Sequence, residues 1–226
     1  CGYGKYGKEA AAHLQEHDIP FVIIDNDPEE IENIQKSDEK LLYVGDDATH
    51  DEALVNAGIK RARALVSALP DDSENVFTVL TARQLNPRIN IISRAKGPNS
   101  KRKLLLAGAS HVVMPEQIGG FYMAALVSKP GAVEFFSFIT TQYRTDIGFE
   151  EITYQKLPEA CKGKSIRQLH MRRATGANII GFRHADGNYE VNPDPDTVLA
   201  PGTSFIVLGS KEQLEKLVDF FKNFPG

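Results

Sequence analysis

The chain has 226 residues, 42% of them hydrophobic and 25% charged, and a formal net charge of -4. Those values fit one large or two modest globular domains with a buried core and exclude the basic footprint of a nucleic-acid binder. No apolar run approaches the ~20 residues that cross a bilayer, and Cys1 and Cys161 make neither a metal spacing nor a disulfide framework, which is consistent with a reducing cytosol.

The chain opens CGYGKYG, which places Gly2, Gly4 and Gly7 in a G-x-G-x-x-G spacing. That pattern is weak by itself, and its meaning depends on the elements C-terminal to it. Residues 8–17 (KEAAAHLQEH) have helix-forming composition. IPFVIIDND reads as a strand, apolar without alternation from Phe21 to Ile24, as in a parallel sheet covered on both faces. Asp27-Pro28-Glu29-Glu30 is a helix start, with proline in the first turn and acids at the positive end of the dipole. Next come the strand KLLYVGD, a helix over 51–57 that stops at Gly58, and the strand RALVSAL. A helix over 72–85, a strand over 90–93, a helix over 100–106 ending at Gly108 and the short strand HVVMP complete the series.

Strict alternation of strand and helix predicts a doubly wound parallel sheet of α/β class. The glycine loop should come directly after the first strand, of which only Cys1 would be present. The chain therefore reads as a piece of something longer, beginning where strand one ends.

Over 116–143 the pattern changes to two helical runs broken by Lys129-Pro130-Gly131 and carrying Phe121, Phe135, Phe136 and Phe138. Their apolar residues do not keep to one stripe. Such helices are buried against more than their own domain, either at a subunit interface or between two domains of one chain. From about residue 148 the chain is β-rich: FEEITY, NIIGFRH, NYEVN and TSFIVLG are strands, Asp186-Gly187 is a hairpin turn, and KEQLEKLVDFFKN is an amphipathic final helix. This predicts a second, smaller α+β domain with a boundary near 145.

Loop, helix, strand and acid together make a stronger signal than the loop alone. Gly2 permits a tight turn, Gly4 lets backbone approach a diphosphate, Gly7 lets the helix pack on the sheet, and the helix N-terminus offers N–H groups to the anion. Asp25 ends the next strand; an acid there accepts from a ribose diol and repels a 2′-phosphate, which disfavours NADP. GDDATHDEAL comes after a strand, so Asp47, Ala48 and Thr49 line the ligand crevice. Its four acids between Asp46 and Glu52 suit either a divalent metal or, for Asp51 and Glu52, a helix first turn. Arg94 ends a later strand, where it is either a phosphate ligand or a surface charge. Proton-transfer candidates are sparse: His50 lies in an acid-rich helix start, and His170 and His184 lack obvious partners. No Ser/His/Asp set, zinc spacing or P-loop stands out. The balance favours a nucleotide sensor over its alternative, an NAD-dependent oxidoreductase with a small substrate domain.

GYGKYG, IIDND, GDDATHDEAL, NAGI, RALVSALPDDSEN, SRAKGPNSKRKLLLAGASHVVMPEQIGG and the β-rich C-terminal part resemble the RCK (KTN, Trk-type) regulatory module of potassium channels and transporters. The resemblance covers nearly the whole chain. It implies a Rossmann-like nucleotide-binding domain over 1–115, crossover helices and a dimer interface over 116–145, and a C-terminal RCK domain over 146–226. It implies a sensor on the cytoplasmic side of the membrane and not an enzyme. Modules of this kind pair through the crossover helices into a homodimer and an octameric ring, and act on a potassium channel pore or a transporter membrane subunit. NAD(H), ATP, ADP or AMP is the expected ligand. By motif position Tyr3, Lys5, Tyr6 and Arg94 lie at the phosphates beside Gly2, Gly4 and Gly7. Asp25 then holds the ribose, Asp47 and Ala48 lie against the adenosine, and Asn26, Thr49 and Ala68 complete the expected nucleotide-binding residues. Glu116 matches a glutamate that helps hold a cation at the dimer interface. The calcium-gated members carry two glutamates where this chain has Ser93 and Ala95, so a divalent cation is not the expected principal ligand. ANIIGFRHADG is similar in general form to C-terminal domains that bind a cyclic dinucleotide, without a diagnostic residue set. A piece lacking its first strand fits a channel member better than a separate transporter subunit.

Overall fold

The computed structural model describes residues 1–36, 41–140 and 146–224. Lys40, Tyr143 and the expected boundary near 145 lie outside the described residues. The chain divides into two compact units, Cys1–Ala124 and Ala125–Gly226. Among the described residues no helix is long and apolar enough to cross a membrane.

The first unit alternates helix and strand as its sequence predicts: α1 (Lys5–Glu16), β1 (Val22–Asp25), α2 (Pro28–Lys36), β2 (Leu42–Gly45), α3 (Asp51–Asn56), β3 (Ala64–Ser67), α4 (Asp72–Leu85), β4 (Asn90–Arg94), α5 (Pro98–Leu106) and β5 (His111–Val113). A further helix, α6 (Pro115–Ser128), runs across the division between the units. Helix α4 begins where Asp71 accepts the N–H groups of Ser73 and Glu74, an N-cap that fixes its first turn. Helix α1 starts three residues before the predicted position because Gly4 already serves as its N-cap.

Every strand pairing in this unit is parallel, with β1-β2 in one sheet and β3-β4-β5 in another. The expected continuous sheet is thus hydrogen-bonded in two pieces. The first two residues join them: the nitrogen of Cys1 donates to the Val66 carbonyl at 2.8 Å, Ala68 N–H donates to the Cys1 carbonyl at 2.9 Å, and Gly2 N–H donates to the Ile24 carbonyl at 2.9 Å. The order is therefore β2-β1-(Cys1, Gly2)-β3-β4-β5. The glycine loop leaves from the point where strand order reverses, which is where open α/β sheets bind ligands. Below it Ile24, Leu54, Leu65, Val79, Ile91 and Leu104 form one buried core.

The second unit holds α7 (Pro130–Thr140), β6 (Ile147–Thr153), α8 (Ile166–Leu169), α9 (Met171–Thr175), β7 (Asn178–Arg183), β8 (Tyr189–Val191), β9 (Ser204–Ser210) and α10 (Lys211–Lys222). Its sheet is antiparallel in the order β6-β9-β7-β8. The Asp186-Gly187 turn closes the β7–β8 hairpin, with His184 N–H donating to the Asn188 carbonyl at 2.9 Å. A reciprocal Ser210–Gln213 capping box starts α10. Phe182, Leu199, Phe205, Val207 and Leu217 are buried together between sheet and helices. The helices α8 and α9 and the single turns at Tyr154–Lys156 and Glu159–Cys161 are too short to stand out in the sequence pattern.

Candidate nucleotide site

A cleft of about 430 Å³ opens over the C-terminal ends of β1, β2, β3 and β4. Gly2, Gly4, Lys5, Tyr6, Asp25, Asn26, Asp47, Ala48, Ala68 and Arg94 line it, as their positions at strand ends and in the glycine loop predict. Asp27, Glu30, Leu69, Pro70 and Glu74 line it as well, beyond the site residues expected from sequence. Tyr3, Gly7 and Thr49 are not among the lining residues. Each of these three instead shapes a neighbour that is.

Three glycines make three different demands. Gly2 has φ +82°, and a Cβ there would stand 3.1 Å from the backbone of Ala68 and Leu69, so the loop passes hard against the end of β3. A Cβ on Gly7 would come 1.9 Å from the Gly2 carbonyl oxygen. Gly7 is thus needed to close the loop on itself, a tighter constraint than the helix-on-sheet packing expected for it. A Cβ on Gly4 would meet nothing within 4 Å. Gly4 also brings no capping side chain to α1, so the first-turn N–H groups are left for an anion in the cleft.

Asp25 ties loop to strand. One carboxylate oxygen accepts the Tyr3 N–H, and the other accepts the Asp27 N–H at 2.8 Å. The side chain is held at the cleft edge with acceptor capacity remaining, since each carboxylate oxygen has two lone pairs. Asp27 and Glu30 stand beside it on the same wall, so this end of the cleft is acidic. Lys8 pairs with Glu30 at 2.6 Å, which raises the lysine pKa above its ordinary value, chiefly through that hydrogen bond.

On the β2 side, Asp47 accepts both the N–H and the hydroxyl of Thr49 at 2.8 Å. Those bonds, the backbone one first, hold its carboxyl below the usual range. Thr78, buried in α4, donates to the Ala48 carbonyl at 3.3 Å. On the β3 side, fully buried Asn75 organises the turn that carries Ala68, Leu69 and Pro70. Its amide oxygen accepts the Ser67 hydroxyl at 2.6 Å and the Leu69 N–H at 3.2 Å, and its NH₂ donates to the carbonyls of Leu69 and Asp71 at 2.9 and 3.0 Å.

Arg94 closes the far end. Its guanidinium lies 4.7 Å from the centre of the Tyr6 ring and donates to Glu116 at 2.7 Å, while the Tyr6 hydroxyl donates to the same carboxylate oxygen at 3.2 Å. Glu116 is held below the ordinary carboxylate range by its own backbone N–H first, then by Arg94 and Tyr6. The Arg94 Nε is buried with no hydrogen-bond partner among the described residues. An orphaned guanidinium nitrogen, an open space at Gly4 and a ring of strand-end acids together fit a phosphorylated, ribose-bearing ligand.

The other candidates lie elsewhere. Ser93 and Ala95 are buried and supply no carboxylate. Asp51 and Glu52 occupy the first turn of α3, their helix-start reading. His50 precedes that helix beside Asp46, His170 joins α8 to α9, and His184 pairs with Glu190 at 3.0 Å; none of the three lines the cleft. His13, Glu16 and His17 at the end of α1 bring their donor atoms within 4.8 Å of one another.

The fold and cleft define a Rossmann-type α/β unit followed by a small antiparallel α+β unit. Family models agree: the TrkA-N domain matches residues 1–115 and the TrkA-C domain matches residues 156–222. The chain belongs to this family, the RCK regulatory domains of potassium channels and transporters. It is 38% identical over 227 residues to probable potassium channel protein 2 of Methanocaldococcus jannaschii, covering 98% of this chain and 66% of that protein. Against potassium channel protein 1 of the same organism it is 37% identical over 217 residues, covering 96% of this chain and 64% of that protein. A solved structure described as the GsuK channel bound to NAD aligns with a TM-score of 0.51 and 30% identity, over 98% of this chain and 37% of that one. The chain thus spans about two thirds of the curated relatives' length, and less of the solved channel.

Proposed function

We propose that this chain is a ligand-sensing regulatory module of a potassium channel or K⁺ uptake system, and that it binds an adenine nucleotide, NAD(H) or an adenosine phosphate, in the cleft. The observation that carries the reading is the convergence of Gly4, Asp25, Asp47 and Arg94 on one cleft from four separate chain segments. The N-terminus of α1, Lys5, Tyr6 and Arg94 receive the phosphates; Asp25 and Asn26 face the ribose; Ala48 and Ala68 pack against the adenosine, with Asp47 held by Thr49. A relative described as NAD-bound and relatives named as potassium channels support the assignment.

Coupling runs through Arg94. Its link to Glu116 joins the cleft to the start of α6. A phosphate that recruits Arg94 competes with Glu116 for it, and ligand binding then alters how α6 is held. A ligand shifts an equilibrium only through such a difference in contacts between states. Arg94 and Tyr6 both bond Oε1 of Glu116, so a cation at that residue would share its carboxylate with them. Modules pair as homodimers through the apolar surfaces of α6 and α7 and assemble into an octameric ring on the cytoplasmic side of the membrane. In this reading the module works by binding and not by turnover, as the relatives named as potassium channels suggest.

Mass spectrometry of small molecules released from purified, tag-free protein tests the assignment. A bound adenine nucleotide in the parent and its loss in Asp25→Ala is the expected result, with NADP binding more weakly than NAD on titration. Equal affinity for NAD and NADP would overturn the ribose assignment. Turnover of a bound nicotinamide with carbonyl or alcohol substrates would overturn the sensor.

A further inference from the structure

We propose that the C-terminal end of α1 carries a binding site for a zinc-class divalent transition metal, formed by His13, Glu16 and His17. The sequence there reads HLQEH, so the two histidines are four residues apart and the glutamate lies three from the first. On a helix those offsets bring side chains onto one face, a turn apart. The structure bears this out: the three donor atoms lie within 4.8 Å of one another, the imidazole centroids are 4.6 Å apart, and His13 Nδ1 stands 3.5 Å from a Glu16 carboxylate oxygen. Donors around a tetrahedral zinc are separated by about 3.3 Å. The remaining closure is within reach of side-chain rotation, because all three residues are exposed.

A second feature organises the site. The ring Nδ1 of His17 contacts the His13 carbonyl oxygen at 2.8 Å. A carbonyl only accepts, so Nδ1 carries the proton and the lone pair stands on Nε2. Metal-binding histidines are oriented in this way, through their second nitrogen on a carbonyl or carboxylate. Two imidazoles and one carboxylate match zinc, nickel or copper and not the oxygen-only preference of calcium or magnesium. Three protein ligands leave a fourth position for water or for a donor from another molecule.

The site is distinct from the nucleotide cleft, whose lining includes none of the three residues. It lies at the opposite end of α1 from the glycine loop, about 18 Å along a helix of 12 residues. Its ligands all come from the end of α1, so bound metal staples the end of the helix that presents the phosphate loop.

Zinc titration of the tag-free chain, by calorimetry and by competition with a chromophoric chelator, tests the proposal. The parent is expected to take up one zinc, and cobalt in its place to give the intense visible absorption of a tetrahedral centre. His13→Ala and His17→Ala should each weaken binding by roughly tenfold or more, and Glu16→Gln by less. All three side chains are exposed, so metal-free melting temperatures should match the parent, which separates lost ligation from lost fold. Absence of saturable uptake by the parent, or parent-like zinc affinity in the His13→Ala/His17→Ala double variant, would overturn the assignment.

Discussion

Gly4 caps α1 and Gly7 lies in its first turn, and their substitution is expected to fail in opposite ways. A Cβ on Gly7 collides with the Gly2 carbonyl, a backbone atom that cannot swing aside. Gly7→Ala should therefore disrupt the loop itself and lower both the melting temperature and nucleotide affinity. Gly4 has open space around its Cβ position, on the cleft side of the loop. Gly4→Val should melt like the parent and lose nucleotide binding. Thermal melts with and without nucleotide separate the two, and a Gly7→Ala protein that melts and binds like the parent would refute the close-contact account. Much of this residue-scale picture is legible in sequence because a G-x-G-x-x-G loop and strand-end residues converge in any sheet of this topology. The roles of Tyr3, Gly7 and Thr49 are not legible. They act through a backbone N–H on Asp25, a carbonyl contact and a pair of bonds to Asp47, none of which leaves a mark on residue type alone. The Arg94–Glu116 pair spans 22 residues of sequence, and only the fold brings it together.

At the scale of elements, the cleft depends on helix ends and the turns between them. Asn75 holds the turn after β3 through four hydrogen bonds from a fully buried position. Asn75→Ala leaves the buried Ser67 hydroxyl and the Leu69 amide without their partner, and should cost about 2–3 kcal/mol of stability. Urea denaturation measures this directly; a loss below the noise of the method would show that water replaces the amide. Acid sensitivity belongs to the same scale. Asp47, Asp71 and Glu116 are all held below the ordinary carboxylate range, by hydrogen bonds near the starts of α3, α4 and α6. The unfolded chain takes up protons at higher pH than the folded one, so this stabilisation is present above the ordinary carboxylate range. It is lost as pH falls below about 4 through the folded values. Glu116→Gln should therefore flatten the decline in urea midpoint between neutral and acid pH, and an unchanged slope would contradict its share. The long elements are readable because burial imposes a period over many residues. The helices α8 and α9 are four and five residues long, too short to show one, and polar residues such as Arg172 and Arg173 mask them further.

For the whole molecule, the exposed apolar surface is the feature that a lone chain leaves unexplained. Phe121 and Val127 on α6 are 76% and 88% exposed, and Phe135 and Phe136 on α7 are 57% and 62% exposed. Large apolar side chains left exposed on each helix are the kind of surface that marks an interaction site, and each phenylalanine that becomes buried contributes about 1.5–3 kcal/mol. The parent should therefore run as a dimer or larger species in light scattering, and Phe121→Asp/Phe135→Asp as monomer or insoluble protein. A monodisperse parent monomer at tens of micromolar, by light scattering, would leave the gating reading without its interface. Oligomerisation is expected from the phenylalanine-rich segment over 116–143, since an apolar pattern without a single stripe is visible in sequence. The central claim is that the cleft over the β-strand ends binds an adenine nucleotide, and isothermal titration calorimetry of the tag-free chain with NAD, ATP, ADP and AMP tests it most directly. The account predicts saturable binding of at least one of them to the parent and its loss in the folded Gly4→Val variant; no binding by the parent, or equal affinity in the variant, would contradict it.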